Sequence, residues 1–494
     1  MSKMSQRILT SVLALLLLAS TAACGEASGD IVETTSGDET TTAAETTAEI
    51  VNWESSGLPE KDFEGKEFTI LMTNVDNLAH TWHLIAPEEL SGDTLNDAMY
   101  DRNKKIEDIY NITITGLMST SVKNDANNAI NAGDNTYDAI FTSIYDTYGM
   151  AQEGKFYNFY DLPYTDPTAE WWDQSLVRDL TYHDSLYHLT GDISPSTDSR
   201  VYTIVFNKDL CSDLGLEMPY QYVLDGSWTI DRFNEYISDV NNDLNGDGQM
   251  NYDDRWGFMS QDGASWMMYF AGGGRVVEKD ANGELSIAFN TERNIELATK
   301  GLEIAIDESK TLMANQYVTD HNNDWAAATS WFAAGGSLFR SSVLEPIPRD
   351  LRSLDVNFGI VPFPKLDENQ DQYYTLAEEY SRVFSVPVTA DAECSSLILE
   401  ALSAESVSTV TPAFYDVVLD GKAVRDEESK EMLDIIFANK VFDIGFLGNV
   451  ANFKTMMLNL EKQDSTNVTS QFASVLSSAE AALEKICENF DGIQ

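Results

Sequence analysis

The stretch LNDAMYDRNKKIEDIYNITIT, residues 95–115, changes its hydrophobic period near Asn111. From Leu95 to Tyr110, core-type side chains recur every three or four residues, which predicts an amphipathic helix. The alternating run ITIT that follows predicts a short strand, and FTILM (68–72) and YDAIF (137–141) predict two more. Strands that alternate with helices predict an α/β fold with a parallel sheet and right-handed crossovers, in which binding loops follow the carboxyl ends of the strands.

The remainder of the chain is long enough for a second sheet. VYTIVF at 201–206 predicts a buried strand. Further strands are expected near Phe258, at 358–361 and at 383–386, and helices at 228–240, 394–404, 427–438 and 466–490. More than 400 residues lie beyond residue 60, and so long a segment exceeds what one hydrophobic core usually accommodates. The sequence therefore predicts two lobes.

The N-terminus has the features of an export signal. Lys3 and Arg7 precede an apolar run that is too short to span a bilayer, and small residues lead into Cys24. The junction STAAC resembles a bacterial lipobox, so residues 1–23 are predicted to be a lipoprotein signal peptide and Cys24 to carry the lipid. The alternative is a simple cleavage site with an incidental cysteine. Residues 24–60 are predicted to form a flexible Thr/Ala/Glu-rich tether that extends from the membrane through the thick wall of a Gram-positive cell.

Charge and cysteine content exclude several classes of protein. The 31 basic and 81 acidic residues give a formal net charge of −50, which repels nucleic acid and anionic lipid headgroups. Apart from Cys24, only Cys211, Cys394 and Cys487 remain, without the spacing of a metal or redox site. One disulfide at most can form, and free thiols are the alternative.

The segment DLNGDGQMNYDD, residues 243–254, matches a calcium loop of the EF-hand type. Such a loop places oxygen ligands at positions 1, 3, 5, 7 and 12 and glycine at position 6 for the sharp turn. Here the ligands are Asp243, Asn245, Asp247, the backbone carbonyl of Gln249, and Asp254. Aspartate at the last position resembles the loops of dockerins, and it is shorter than the usual glutamate. A structural Ca²⁺ is predicted, and an ion-free turn rich in Asp and Asn is the alternative.

Several short motifs occur in an order that resembles the extracellular solute-binding proteins of bacterial sugar importers, the class that includes maltose-binding protein. The motifs are DRNKKIE (101–107) before YNI (110–112), YDA (137–139), GDIS (191–194), FNK (206–208), DGSWTID (225–231), FGIVPFPK (358–365) and PAFYDV (412–417). Together they extend across roughly residues 60–490.

The resemblance implies the two-lobed periplasmic-binding-protein-like fold of type II, with a ligand cleft between hinged lobes. The N-terminal lobe is expected at 61–192 and 377–408 and the C-terminal lobe at 193–376 and 409–494. Chain crossings are expected near 188–194, 374–382 and 406–415. The implied function is capture of a carbohydrate, expected to be an oligosaccharide, by a lipid-anchored monomer at the outer face of the cytoplasmic membrane. The sugar is then delivered to the permease subunits of an ABC transporter.

Sugars are bound by flat aromatic faces and by polar groups that satisfy the hydroxyls. At the expected cleft-facing ends of the strands, the predicted stacking residues are Trp82, Tyr145, Trp266, Tyr380 and Phe446. The predicted hydrogen-bonding residues are Asn74, Ser143, Asp192, Asp198, Arg340, Glu379 and Asn449. The pair Trp171 and Trp172 is instead expected to anchor a surface segment.

Two other functions remain open on the sequence. A glycoside hydrolase needs two carboxylates about 5–10 Å apart, which so acidic a chain can provide. A surface adhesin that holds a polysaccharide without transport shares the export signal and the aromatic supply. The lipobox, the tether and the order of the motifs favour a binding protein that is not an enzyme.

Overall fold

A computed structural model of the chain describes residues 51–74, 84–261, 263–352, 354–419 and 427–493. The signal peptide, Cys24, most of the tether and Trp82 lie outside these residues, so the predictions made for them stay predictions. None of the described helices is long and apolar enough to cross a membrane.

The described strands form two larger sheets and two short pairs. They are β1 (Lys66–Thr73), β2 (Ile112–Ser119), β3 (Ala139–Ser143), β4 (Tyr202–Asn207), β5 (Trp256–Ser260), β6 (Val277–Lys279), β7 (Leu285–Ile287), β8 (Thr311–Met313), β9 (Ser337–Val343), β10 (Phe358–Val361), β11 (Thr375–Leu376), β12 (Arg382–Ser385) and β13 (Lys440–Val441). The first sheet has the order β12-β3-β1-β2, and the second has the order β10-β4-β9-β5-β8. The pairs are β6-β7 and β11-β13.

The helices pack around these sheets. They are α1 (Trp53–Ser56), α2 (Thr94–Tyr110), α3 (Val122–Ala132), α4 (Ile144–Gln152), α5 (Gln174–Leu180), α6 (Ser196–Ser199), α7 (Lys208–Asp213), α8 (Tyr220–Leu224), α9 (Ile230–Ser238), α10 (Ala264–Ala271), α11 (Glu292–Ala305), α12 (Ala314–Asp320), α13 (Trp325–Ala333), α14 (Pro346–Arg352), α15 (Ala392–Ser406), α16 (Val410–Leu419), α17 (Glu427–Ala438), α18 (Ile444–Leu447), α19 (Phe453–Lys462) and α20 (Val468–Asp491). Short 3₁₀ turns occur at Phe159–Asp161 and Val450–Asn452.

Helix α2 and strand β2 confirm the change of period that the sequence shows at residue 111. The Asp93 side chain accepts from the Asn96 N–H and caps the helix, and Asn111 ends it in the left-handed conformation at φ 50°. The face predicted to be apolar is buried and includes Arg102. The Arg102 guanidinium donates to the carbonyl of Ile193 at 2.7 Å and to the Ser406 hydroxyl at 2.9 Å. This buried arginine therefore joins α2 to two distant parts of the chain.

The parallel sheet predicted from the alternation of strands and helices is only part of the fold. Strands β1, β2 and β3 are parallel, as expected. Strand β12 joins the first sheet antiparallel to β3, and β4 runs antiparallel to both β9 and β10. Both sheets are therefore mixed, because strands that return from a distant part of the chain join each sheet without a local helical crossover.

Three parts of the chain connect the two sheets. The first leads from Leu189, whose backbone pairs with Phe384 of β12, into β4. The second returns from β10 through β11 to β12, and the third leaves α15 and includes β13, which pairs with β11. These connections occur close to the crossings expected from the sequence, and the assignment of every residue to one lobe stays a prediction.

The ordered fold begins before residue 61, where the predicted tether was expected to end. The backbone N–H of Trp53 donates to Glu405 at 3.1 Å, and its indole N–H donates to the Tyr110 hydroxyl at 2.8 Å. Residues 53–60 therefore belong to the folded domain, because a tryptophan at the end of a polar segment packs on α2 and α15. At the other end of the chain, Phe490 of α20 packs against Tyr148, Tyr182 and Tyr187.

Cys211, Cys394 and Cys487 are free thiols, which is one of the two alternatives left open by the sequence. Burial raises the pKa of Cys211 and of Cys394 to about 11. A thiol with so high a pKa is poorly nucleophilic at neutral pH, so these two cysteines are structural.

Trp171 and Trp172 anchor a surface segment, as predicted, and their partner is Glu400. Both indole N–H groups donate to the buried Glu400 carboxyl, at 2.9 and 3.0 Å. Burial raises the pKa of Glu400 to about 8, although the indole hydrogen bonds act in the opposite direction. The acid is therefore largely protonated in the folded protein at neutral pH.

This proton makes stability depend on pH. Because the folded-state pKa of Glu400 exceeds the unfolded value, the folded protein binds more protons between these two values, and stability falls as pH rises through that window. Glu400→Gln does not titrate, and its amide keeps one acceptor oxygen, so one of the two indole hydrogen bonds is lost at every pH. Urea unfolding at pH 5, 6.5 and 8 measures the free energy of unfolding of both proteins. We expect the value for Glu400→Gln relative to the wild type to increase with pH, by up to about 1.4 kcal/mol per pH unit. Glu480→Gln, at an exposed site on α20, is the control, and equal slopes for all three proteins would contradict the prediction.

Candidate functional site

Tyr145 and Tyr380 form a pair of exposed aromatic rings beside the end of β3. Pairing of β3 with β12 places the residues after β3 next to those before β12, and the Tyr145 N–H donates to the Glu379 carbonyl at 3.1 Å. The ring centroids are 5.9 Å apart, and the side chains are 55% and 51% exposed. Two adjacent exposed rings offer an apolar platform for a ligand.

Glu379 lies buried below this platform and has one oxygen without a partner. Its Oε1 accepts from Lys454 Nζ on α19, and its Oε2 is buried without a hydrogen-bond partner among the described residues. Lys454 Nζ also lies 5.1 Å from the centre of the Trp266 ring. An unpaired buried carboxylate oxygen is unfavourable. Glu379 Oε2 is thus positioned to accept a hydrogen bond from a ligand.

We call Tyr145, Tyr380, Glu379, Lys454 and Trp266 the tyrosine–lysine cluster. Lys454 was absent from the residues predicted by sequence, because it is 75 positions from Glu379 and nothing in its local pattern marks it. The cluster otherwise combines predicted residues from three separate segments. Their role as ligand contacts stays a prediction.

Trp266 and Phe446 do not offer the open stacking faces expected of them. The Trp266 side chain is only 1% exposed and lies edge-on to Tyr202 at 5.2 Å. Phe446 packs on Trp266 and on Phe270, at centroid distances of 5.6 and 5.3 Å. Trp266 is therefore a buried member of the cluster, and the half-buried Phe446 packs against it where helices α10 and α18 are in contact.

Arginine and glutamate pairs surround the cluster. Arg200 forms ion pairs with both Glu345 and Glu378. It thereby links the first connection, just before β4, to the residues that follow β9 and to those that precede β12. Arg382 is buried nearby, its Nη1 has no partner among the described residues, and burial lowers its pKa to about 10. With Lys454 and Glu379, these groups comprise three cations and three carboxylates, so the formal charges of these six groups cancel.

Asn74 follows β1, and Ser143 is the last residue of the neighbouring parallel strand β3, so both lie at strand ends, as the sequence predicted. The Asn74 N–H donates to the Ser119 carbonyl at 2.8 Å. The Ser143 hydroxyl caps α4 by accepting from the Asp146 N–H, and it donates to the Asp146 carboxylate at 2.8 Å. Ser143 therefore has a structural function in its present conformation, and ligand contact by either residue stays a prediction.

Asp192 and Asp198 are half-buried and belong to a network around Lys440, and their predicted contact with the ligand stays a prediction. Lys440 Nζ contacts Asp198 and lies 2.9 Å from the Asp173 carboxylate. Asp192 accepts from the Thr411 hydroxyl at 2.5 Å, and burial raises its pKa to about 7. These residues join the first and third connections between the sheets, a function that no local sequence pattern reveals.

Arg340 and Asn449 have other surroundings than those predicted. Arg340 Nη1 donates to the Thr329 hydroxyl at 2.8 Å, and its side chain lines a small cavity against α14. It faces these helices because alternate residues of β9 point to opposite sides of the sheet. Asn449 is exposed and adopts φ 54°, so it allows the chain to turn between α18 and α19.

The predicted calcium loop forms a tight turn with its carboxylates directed at backbone N–H groups. Asp243 accepts from Gly246 and Gly248, at 2.6 and 2.7 Å, and the buried Asp254 accepts from Leu244 and Asn251. Both glycines have positive φ, and Gly248 occupies position 6, where the loop pattern requires glycine. Within the part of the chain that the structure describes, no three acidic, histidine or cysteine side chains are grouped as metal ligands. Calcium binding therefore stays a prediction.

The sequence model of the bacterial extracellular solute-binding protein family matches residues 86–392. No protein of curated function shows significant sequence similarity to the chain.

Solved structures of similar fold share little sequence with this chain. An ABC substrate-binding protein from Listeria monocytogenes in complex with cycloalternan has a TM-score of 0.53 and 13% identity, with 85% of this chain and 100% of that chain covered. UspC of M. tuberculosis has a TM-score of 0.55 and 12% identity, with coverage of 84% and 100%. The GacH receptor of Streptomyces glaucescens, known unliganded and with acarbose, has a TM-score of 0.53 and 12% identity, with coverage of 85% and 99%.

Proposed function

Because the chain belongs to the bacterial extracellular solute-binding protein family, we propose that it binds an uncharged oligosaccharide at the tyrosine–lysine cluster and delivers it to an ABC importer. The family consists of binding proteins, which confirms the prediction that the chain is not an enzyme. It acts as a monomer attached through lipidated Cys24 to the outer face of the cytoplasmic membrane.

The observation that carries this proposal is the exposed tyrosine pair above a buried, half-partnered carboxylate. A pyranose has an apolar face of C–H groups and a rim of hydroxyls. The rings of Tyr145 and Tyr380 suit the first, and Glu379 Oε2 suits a hydroxyl donor. Cycloalternan and acarbose, the ligands of two structures of similar fold, support a sugar as the ligand.

The balance of charge supports an uncharged ligand. The whole chain has a formal charge of −50, yet three carboxylates near the cluster are matched by Arg200, Arg382 and Lys454. An acidic sugar gains no net attraction from such a site and is repelled by the rest of the protein. A neutral sugar is therefore favoured over an acidic one.

The test is a binding screen with the mature chain, residues 24–494, carrying Cys24→Ser. Isothermal titration calorimetry against neutral oligosaccharides, monosaccharides, uronic acids and peptides should show saturable binding of one neutral sugar class, with no product formed. Ligand at about 100 times its dissociation constant should also stabilise the fold by about 2.7 kcal/mol. Binding of peptides alone, or consumption of the sugar, would overturn the proposal.

Lipid anchoring has its own test. In the native host, Cys24→Ala should release the protein from the membrane fraction into the medium, whereas Cys394→Ala, at a buried thiol, should leave it bound. Equal membrane retention of both variants would argue against the anchor.

Calcium should stabilise the chain through the loop at 243–254. At about 100 times the dissociation constant of the ion, we expect a gain of about 2.7 kcal/mol in the free energy of unfolding. Asp243→Asn and Asp247→Asn should abolish this gain, because each removes one negative ligand. Thermal unfolding with calcium, with magnesium and with chelator measures it. Asp280→Asn, in another acidic turn, is the control, and an equal calcium effect in all variants would exclude the loop.

A further inference from the structure

We propose that a second cavity, between α5, the β6–β7 hairpin and residues 442–444, binds a small oxyanion. The cavity has a volume of about 240 Å³ and shares no residue with the tyrosine–lysine cluster. Arg178, Arg275 and Lys279 line it, together with the three carboxylates of Asp179, Glu278 and Asp443.

Arg275 and Lys279 leave donors unused, whereas Arg178 forms an ion pair with Asp179. Arg275 donates from Nη1 to the Gly274 carbonyl at 2.7 Å, and its guanidinium lies 4.7 Å from the centre of the Tyr374 ring. Lys279 Nζ donates to the carbonyls of Arg178 and Thr181, at 2.5 and 2.6 Å. Neither Arg275 nor Lys279 forms an ion pair with a carboxylate among the described residues. A guanidinium has five N–H donors and an ammonium has three, so both retain capacity for a ligand.

The carboxylates of the cavity, in contrast, already accept hydrogen bonds. Asp179 accepts from Arg178 Nε at 2.7 Å and from the Phe442 N–H at 3.0 Å. Asp443 accepts from the N–H groups of Val276 and Phe446, both at 2.8 Å. The Glu278 carboxylate, which is exposed at the rim, accepts no hydrogen bond from the described residues. The three carboxylates balance the three cations in formal charge, so an oxyanion binds here through the free donors of Arg275 and Lys279 and not through net charge.

Burial makes an anion favourable at Lys279. The pKa of this half-buried lysine is lowered because its ammonium is partly removed from water. An anion next to it offsets that loss of hydration, and charge-assisted hydrogen bonds to oxyanions are about twice as strong as neutral ones.

The walls limit the size and shape of the ligand. Val277, Leu285, Phe442 and Ile444 line the cavity beside the cations, so part of its surface is apolar. Inorganic sulfate or phosphate fits the cations alone, whereas a carboxylate on a compact sugar ring also covers the apolar wall. The shared chemistry is a tetrahedral or carboxylate oxyanion.

Calorimetric titration of the mature chain with sulfate, phosphate and D-glucuronate tests the proposal, in chloride buffer at constant ionic strength. We expect one saturable site. Binding of sulfate or phosphate alone would assign an inorganic ligand, and binding of glucuronate would assign a carboxylated sugar. Absence of saturable binding for all three would overturn the proposal.

Variants connect the binding to this cavity. Lys279→Met and Arg275→Gln should each weaken anion binding at least tenfold, whereas Glu278→Gln should strengthen it two- to threefold at low salt. Lys462→Met, at an exposed site on α19, is the matched control. If Lys279→Met fails to fold, Arg275→Gln decides, since its side chain makes one backbone contact only. If Arg275→Gln binds the anion as tightly as the wild type, the assignment of the anion to this cavity is overturned. Titration with neutral sugar is scored separately, because this inference does not rest on the tyrosine–lysine cluster.

Discussion

Replacement of Lys440 by methionine should lower the free energy of unfolding by about 3–5 kcal/mol at pH 8. Lys440 is 5% exposed, and its ammonium contacts Asp173 and Asp198, with Asp192 close enough to influence their charges. Methionine retains most of the side-chain volume but leaves these carboxylates without a cation. The loss therefore measures uncompensated buried charge rather than a cavity.

The loss should shrink at low pH. Burial raises the pKa of Asp192 to about 7 and also raises the pKa of Asp198. For a carboxyl with a raised folded-state pKa, the protonated form is favoured in the folded protein, and stability decreases as pH rises towards that pKa. In Lys440→Met these carboxyls lose the neighbour that keeps them ionised, so they take up protons at pH 5 and part of the stability returns.

Urea unfolding of Lys440→Met at pH 5 and pH 8 checks this prediction. Lys430→Met, at an exposed lysine on α17, is the matched control and should unfold like the wild type. Asp198→Asn in the Lys440→Met background should recover part of the loss, because it removes one unpaired charge. A loss below about 1 kcal/mol, typical of exposed ion pairs, would contradict the assignment of a buried network.

Replacement of Tyr380 by alanine should weaken sugar binding about 30-fold, or about 2 kcal/mol, and Tyr145→Ala should have a similar effect. Both rings are about half exposed in the free protein, and a sugar stacked on them removes that apolar surface from water. Tyr380→Phe should retain most of the affinity, since the stacking face remains. A large loss in Tyr380→Ala with little loss in Tyr380→Phe would show that the tyrosine contributes through its ring face and not through a hydrogen bond of its hydroxyl.

Glu379 should contribute through its unpaired oxygen. Glu379→Ala removes the acceptor and leaves the Lys454 ammonium without its carboxylate, whereas Glu379→Gln keeps an oxygen acceptor and loses the charge. We expect the alanine variant to lose more affinity than the glutamine variant. Calorimetry with the best ligand from the screen measures both. Tyr160→Ala, at an exposed tyrosine in another segment, should bind normally, and full affinity of Tyr380→Ala would place the ligand elsewhere.

These variants also separate the two proposed sites. A chain that loses sugar binding through Tyr380→Ala and keeps anion binding has two independent sites. A chain in which Lys279→Met removes both would indicate that the cavity and the cluster are coupled through the segment that contains Asp443 and Phe446.

The sequence by itself determined the local architecture. The switch from a period of about 3.6 residues to alternation at Asn111 located helix α2 and strand β2, because side chains that face a core repeat with the geometry of the element. The same logic placed Tyr145 after a strand end and Tyr380 before another strand. The positions of these two tyrosines near strand ends could therefore be predicted from the sequence.

Only the tertiary structure decided which charged groups are partners. Lys440 and Asp198 are 242 positions apart, and Lys454 and Glu379 are 75 positions apart. Hydrophobic periodicity indicates which face of a helix or strand is buried. It carries no information about which distant segment packs against that face. Asp192 and Asp198 thus resembled ligand-binding residues in the sequence, although the three connections between the sheets bring them to Lys440. The pairing of charges follows from the path of the chain between its two sheets, which no local pattern encodes.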